Sequence, residues 1–320
     1  MAKADPPAET FKRFLHKYKG KHLAIATHSR ADVDALASAF ALSRILPDSV
    51  ICTEEEMNEG ARMLAHKLGI KSVALSSLDK KRFDGLIVVD TSAFTLLPQA
   101  RGWEILLIID HHRSEGRDMK GEFEITDPES PSASELVAMV QPHVDKDVAF
   151  ALCVGIIADG ARFKSARADT FETLARLMKA SEARYPELLS FAEPDPKDEA
   201  KIAMLSAMKR VEFVYAGGYI IATSEVGSNE SDSASLISEA ADVAFIAKWK
   251  AEDQETRISA RARKSVRIPL NEVMDEVARE IGGAGGGHSK AAGASLKAHT
   301  DEALKCCVEV FVRRAEGARV

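Results

Sequence analysis

Two almost uninterrupted apolar runs, LIVVD (86–90) and ILLIID (105–110), each stop at an aspartate, and the second continues directly into His111 and His112. Runs of Ile, Val and Leu without polar alternation suit strands buried on both faces, as in the middle of a parallel sheet. HLAIAT (22–27) and SVIC (49–52) have the same character, while DALASAFALSRIL (34–46) and EGARMLAHKLG (59–69) between them carry helical spacing. This alternation predicts an α/β domain, doubly wound around a mostly parallel sheet.

In open parallel sheets, ligands bind beyond the carboxyl ends of the strands. HLAIAT runs into His28, Asp32 and Asp34; LIVVD ends in Asp90; ILLIID ends in Asp110, His111 and His112. The apolar helical stretch ending GIIAD adds Asp159. One such acid is ordinary, because aspartate is common at strand ends and helix N-caps. Several converging on one edge would repel, and metal cations are the simplest compensation. Carboxylates mixed with imidazoles and no thiolate suit Mn²⁺ or Mg²⁺ better than a structural zinc site. The set exceeds what one four-coordinate ion uses, whereas two ions bridged by a carboxylate would use it and suit phosphoryl transfer.

The chain has 320 residues, enough for two domains. A segment with three prolines and an acidic cluster, RYPELLSFAEPDPKDEA (184–200), is the best boundary between them. The expected organisation is a metal-binding domain over 1–185, a linker over 186–205 and a smaller α+β domain over 206–320. In the latter, YIIATSEV (219–226), VAFIAKWK (243–250) and TRISARAR (256–263) read as strands and NEVMDEVAREIG (271–282) as a helix. The longest strongly apolar stretch, VAFALCVGIIA (148–158), is far short of a membrane span. MAKADPPAETFKRF at the N-terminus lacks the apolar core of a secretory signal, and the four cysteines form no CxxC, so a reduced, cytoplasmic protein is expected. A net charge of −6 argues against a broad basic face for long nucleic acid. No surface is marked for oligomerisation, and a homodimer is left open.

HSRADVDALASA (28–39), VVDTS (88–92), IIDHHRS (108–114) and ADGARF (158–163) resemble the four motifs of the DHH phosphoesterase superfamily, and GGGHSKAAG (285–293) resembles the signature of its DHHA1 domain. All five occur in the family's order. The arrangement is similar to the stand-alone proteins of the nanoRNase and phosphoadenosine-phosphate phosphatase group, with little room for the additional domains of long RecJ exonucleases. The resemblance implies an active site in the cleft between the two domains and two divalent ions, Mn²⁺ first, with Mg²⁺ or Co²⁺ as alternatives. One ion would be held by His28, Asp32 and Asp90, the other by Asp34, Asp90, His111 and Asp159. Asp110 would orient a ligand, and His112 would face the scissile phosphate as hydrogen-bond donor or acid. Two departures stand out: Arg30 and Val33 within SRADVD, where the family often has Asn-Pro and a small residue, and Arg162 in the fourth motif.

RISARARKSVR (257–267) holds five basic residues in eleven; at strand spacing Arg257, Ser259, Arg261 and Arg263 share a face. It reads either as a solvated edge strand or as a phosphate-reading one, and the resemblance singles out Arg261. Five of the six residues 282–287 are glycine. Gly285, Gly286 and Gly287, followed by His288, are expected to form a loop whose N–H groups cradle a phosphate. The function so implied is hydrolysis of short oligoribonucleotides or linear dinucleotides to mononucleotides. Competing readings are a 3′-phosphoadenosine 5′-phosphate phosphatase, a cyclic dinucleotide phosphodiesterase and a nucleotide sensor without turnover. An inorganic pyrophosphatase shares the N-terminal motifs but lacks the glycine-histidine signature.

Overall fold

The computed structural model describes residues 6–54, 57–112, 116–141, 143–160 and 163–318. It contains two compact units, Met1–Asp195 and Pro196–Val320. The first runs α1 (Pro7–Tyr18), β1 (Leu23–Ala26), α2 (Val33–Ile45), β2 (Ser49–Cys52), α3 (Glu59–Leu68), β3 (Gly85–Val89), β4 (Ile105–Asp110), β5 (Phe123–Thr126), α4 (Ala133–Val140), α5 (Lys146–Asp159), α6 (Ala168–Ser181) and α7 (Tyr185–Ala192). Its five strands lie in the order β2-β1-β3-β4-β5. Every neighbouring pair is parallel.

Each residue of β1, β3 and β4 is buried, which is why their sequences do not alternate. Leu23, Ile25, Ile87, Val89, Leu107 and Ile109 face a large core shared with the helices. Ala24, Ala26, Leu86, Val88 and Ile108 face a smaller cluster completed by Leu75, Leu97 and Met119 from one-turn helices and loops. α5 is buried continuously from Val148 to Ile157, so it shows no polar stripe. Val33 is buried, and its side chain occupies space that Gly60 on α3 leaves open: a Cβ at Gly60 would lie 2.6 Å from Val33 Cγ2. The larger residue in SRADVD is thus absorbed by packing. Arg162 lies outside the described residues.

The segment expected as a linker, 186–205, is largely helical. α7 ends at Ala192 and α8 (Asp198–Lys209) begins soon after, leaving 193–197 between them. Pro186 sits in the first turn of α7, where its missing N–H has no helical partner to lose.

The second unit continues from α8 through β6 (Glu212–Ala216), β7 (Tyr219–Glu225), α9 (Glu230–Ile237), β8 (Val243–Lys250), β9 (Glu255–Ala262), α10 (Leu270–Ile281), β10 (Gly283–Gly287), β11 (Ala291–Leu296) and α11 (Thr300–Gly317). Its six strands lie in the order β10-β11-β9-β8-β7-β6, antiparallel except for β7 with β8. α10 and α11 contribute to the core on one face, and α8 and α9 to a smaller cluster on the other. The glycine run is a correction to the loop expectation: Gly285, Gly286 and Gly287 belong to edge strand β10, paired with Ala294, Gly293 and Ala292 of β11. Successive N–H groups of a strand point to opposite sides, so residues 283–287 do not form a nest. Glycine is required because β10 lies directly against α10; a Cβ at Gly285 would come within 2.2 Å of the Met274 carbonyl oxygen. His288 closes the β10–β11 turn, its N–H donating to Ala291 O at 2.8 Å.

Candidate metal centre

The acids and imidazoles stand at the carboxyl ends of the parallel strands and at helix termini. Asp32 is the N-cap of α2; its Oδ1 accepts the Ala35 N–H at 3.0 Å, leaving Oδ2 directed elsewhere. Asp34, in the first turn of α2, is buried, and its two oxygens accept N–H groups from the start of α4: Ala133 to Oδ2 at 2.7 Å and Ser134 to Oδ1 at 2.8 Å. Asp90 follows β3 with φ of 60°, a left-handed conformation that non-glycine residues adopt at a cost. That turn swings its carboxylate away from the strand direction, between the histidines.

His28 Nε2 lies 3.6 Å from Asp90 Oδ2 and 3.8 Å from Asp32 Oδ2. His111 Nε2 lies 3.3 Å from Asp90 Oδ1 and 3.1 Å from Asp159 Oδ2. Asp90 Oδ1 and His111 Nε2 are nevertheless buried without a hydrogen-bond partner among the described residues. Three of these four separations are long for hydrogen bonds, and the set suits ligands of a shared ion, since donors about 2.1 Å from one cation and at right angles lie roughly 3 Å apart. Three groups of ligand atoms are close enough to hold a cation: His28, Asp32 and Asp90; Asp34, His111 and Asp159; and Asp90, His111 and His112. His111 Nδ1 lies 3.2 Å from the Ser130 carbonyl oxygen. A carbonyl only accepts, so Nδ1 donates, and in the neutral ring Nε2 keeps its lone pair for a metal.

The electrostatics also call for positive charge. Burial would lower the His28 imidazole, but the carboxylates of Asp32 and Asp90 push it up to about 10. Burial likewise opposes charge on His111, yet Asp159 and Asp90 push it up to about 11. Burial acts to raise Asp90, and the flanking His111 and His28 overcome it to hold that carboxyl at about 2. Burial, reinforced by Asp90 and Asp159, pushes Asp34 well above the usual carboxylate range. The pocket therefore retains protons unless a cation replaces them. Donor set, spacing and electrostatics all fit divalent ions.

Asp110 serves a different residue from the one expected. Its Oδ1 accepts the His112 backbone N–H at 3.0 Å and lies 2.8 Å from His112 Nδ1, while Ser92 Oγ donates to Oδ2 at 2.5 Å. It therefore orients His112, whereas His111 is oriented by Ser130. The His112 side chain is 52% exposed, so its Nε2 edge is open to solvent. Four contributors escaped the sequence analysis: Ser92 within VVDTS, Arg117, whose Nε donates to Ser92 Oγ at 2.8 Å, Ser130, and the Ala133–Ser134 N–H groups that hold Asp34. Nothing local marks the last, which lie about a hundred residues from Asp34. In the second unit, Arg261 Nη2 donates to Ser231 Oγ at 2.7 Å and Nη1 to its own strand's Ala260 O at 3.0 Å.

Gly155 of α5 keeps this arrangement close. A Cβ there would lie 2.1 Å from Ser134 Oγ and 3.0 Å from Asp34 Oδ1. Alanine gains up to about 1 kcal/mol of helix propensity, but overpacking costs about 1–3 kcal/mol. Gly155→Ala is expected to lower stability to chemical denaturation and to weaken metal binding by moving the Ser134 N–H from Asp34. An unchanged or raised denaturation midpoint would contradict this packing.

A parallel sheet with acids and imidazoles gathered at its carboxyl rim suits metal-dependent phosphoester chemistry. Family models agree: residues 22–156 match the DHH family N-terminal domain and residues 217–313 match the DHHA1 domain. The chain belongs to the DHH family, whose members are metal-dependent phosphoesterases, and carries a DHHA1 domain behind the DHH domain. It is 28% identical to the uncharacterized protein MJ0988 of Methanocaldococcus jannaschii over 95% of this chain and 98% of that one. Among solved structures it resembles an exopolyphosphatase-related protein from Bacteroides fragilis, with a TM-score of 0.80, 15% identity and full coverage of both chains. RecJ of Thermus thermophilus, solved in complex with Mn²⁺, has a TM-score of 0.53 at 15% identity, with 98% of this chain matching 54% of that one. At these identities the structural likeness concerns the fold. No helix among the described residues is long and apolar enough to cross a membrane.

Proposed function

We propose that this protein is a two-metal phosphodiesterase that hydrolyses short oligoribonucleotides and linear dinucleotides to mononucleotides. The observation that carries the two-ion reading is the overlap of the ligand groups, which share Asp90 and His111. His28, Asp32 and Asp90 would hold one ion; Asp34, Asp90, His111 and Asp159 would hold the other. When bound, such ions supply an activated water and polarise phosphoryl oxygens.

The chain's own groups do the rest. Ser130 fixes the His111 tautomer, and the Ala133 and Ser134 N–H groups hold Asp34 still. Asp110 holds His112 by Nδ1 and raises its basicity, so the imidazolium is available to donate from Nε2 to a phosphoryl oxygen or to the departing alkoxide. In the second domain we assign Arg261 and His288 to the remainder of the substrate. Supporting this, the Arg261 guanidinium is held beside the Ser231 hydroxyl, donors that suit a phosphate. A grip at a fixed place favours substrates of limited length.

The test is hydrolysis by chelator-stripped protein with and without Mn²⁺, Mg²⁺ or Co²⁺. Substrates are a labelled RNA dinucleotide, a long oligonucleotide, adenosine 3′,5′-bisphosphate, a cyclic dinucleotide and pyrophosphate. The expected result is metal-dependent cleavage of the dinucleotide well ahead of the long strand. Faster turnover of the bisphosphate or the cyclic dinucleotide would reassign the substrate within the same chemistry. Tight nucleotide binding with no turnover in any metal would make the protein a sensor.

A further inference from the structure

The far edge of the second sheet is uncovered. β6 has one strand neighbour among the described residues, β7. Phe213 is 73% exposed and Tyr215 76% exposed, and Val214 between them is exposed as well. α8, immediately before β6, presents Ile202 and Leu205 at 64% and 66% exposure, with Met208 one turn on. Residues at i, i+3 and i+6 share a helix face. Successive strand side chains point to opposite faces, so Phe213 and Tyr215 share one face of β6 and Val214 takes the other. Met208 and Phe213 line one apolar hollow together with Ile220 and Leu236, so the exposed aromatic face of β6 continues onto the end of α8.

We propose that this patch is the interface of a two-fold symmetric homodimer, in which β6 pairs antiparallel with β6 of a second copy. The sequence of the strand, Glu212-Phe213-Val214-Tyr215-Ala216, is self-complementary about Val214. Antiparallel pairing centred there sets Phe213 opposite the partner's Tyr215, an aromatic cross-strand pair, twice over. Glu212 falls opposite the partner's Ala216, so no like charges meet. Unpaired edge strands normally carry a charge, a proline or a cover against such pairing. β6 has only the terminal Glu212, and its three central side chains are apolar. The symmetry also accounts for closure, because an isologous contact uses the patch completely and leaves no second copy to recruit.

The test uses the full-length chain. Sedimentation over a wide concentration range is expected to show a dimer, and Phe213→Lys, a change at an exposed position, is expected to yield a folded monomer by circular dichroism. Val214→Cys reads the register: directly opposed antiparallel residues have Cα atoms about 4.5–5.5 Å apart, within disulfide reach. Mild oxidation should cross-link that variant into a covalent dimer, while the native cysteines, all buried, leave the unsubstituted chain uncross-linked. A monomer at every concentration would overturn the proposal. So would a dimer that survives Phe213→Lys, or one that Val214→Cys fails to cross-link.

Discussion

Asp90→Asn is expected to fold and to lose both metal binding and turnover. Asparagine matches aspartate in shape and tolerates the left-handed backbone that Asp90 adopts at φ of 60°. The substitution therefore separates the charge from the conformation, which Asp90→Ala would not. What disappears is the carboxylate shared by two of the three ligand groups, with one oxygen toward His28 and the other toward His111. Several kcal/mol of transition-state stabilisation by the ions would go with it, which at 1.4 kcal/mol per decade is a fall of about 10³–10⁴ in kcat. Two measurements check it: turnover, and the rise in melting temperature when Mn²⁺ is added to stripped protein. The parent should be stabilised by the metal and the variant should not. Near-normal turnover in Asp90→Asn would end the two-metal scheme.

His112→Gln should behave differently. His112 belongs to one ligand group, yet its Nδ1 is taken by Asp110 and its ring is the most exposed of the three site imidazoles. As a proton donor to the reacting phosphate it is worth about 10²–10⁴ in rate. The variant is expected to lose that much kcat while keeping the thermal stabilisation by Mn²⁺. If the metal response vanishes with the activity, His112 is a ligand and not the acid. Asp110→Asn probes the same pair more gently: it keeps the contact but removes the charge, and a loss of about 10–100-fold is typical when an orienting carboxylate is removed.

The contrast between what was legible and what was not follows the range of the interactions. β3 and β4 announced themselves because a doubly covered strand needs apolar residues at every position, and their terminal acids mark which rim holds the chemistry. β5 did not, because FEIT alternates over only four residues and its Phe123 finds its partners in α1. Phe123 packs edge-on against Phe14, with ring centroids 5.9 Å apart. α1 went unread for the reciprocal reason. The glycine run misled because local preference for a loop gives way to pairing with β11 and to the close approach of α10. At the site, the ligand types and their strand-end positions were visible in the residues themselves. The supports were not, since Ser130 under His111 and the Ala133–Ser134 N–H groups under Asp34 are defined only by the tertiary fold.

α5 has two roles in one helix. Its body fills the centre of the large core from Val148 to Ile157, and its last residue is Asp159. The acids and imidazoles of the pocket are otherwise scattered over segments beginning at His28, and Asp159 is the last of them in chain order. On the ribosome, a nascent chain that has not yet released α5 lacks both the middle of its hydrophobic interior and the final acid of its pocket. The middle of the interior and the last acid of the pocket thus arrive in the same stretch of synthesis, and a chain cut short before α5 has neither.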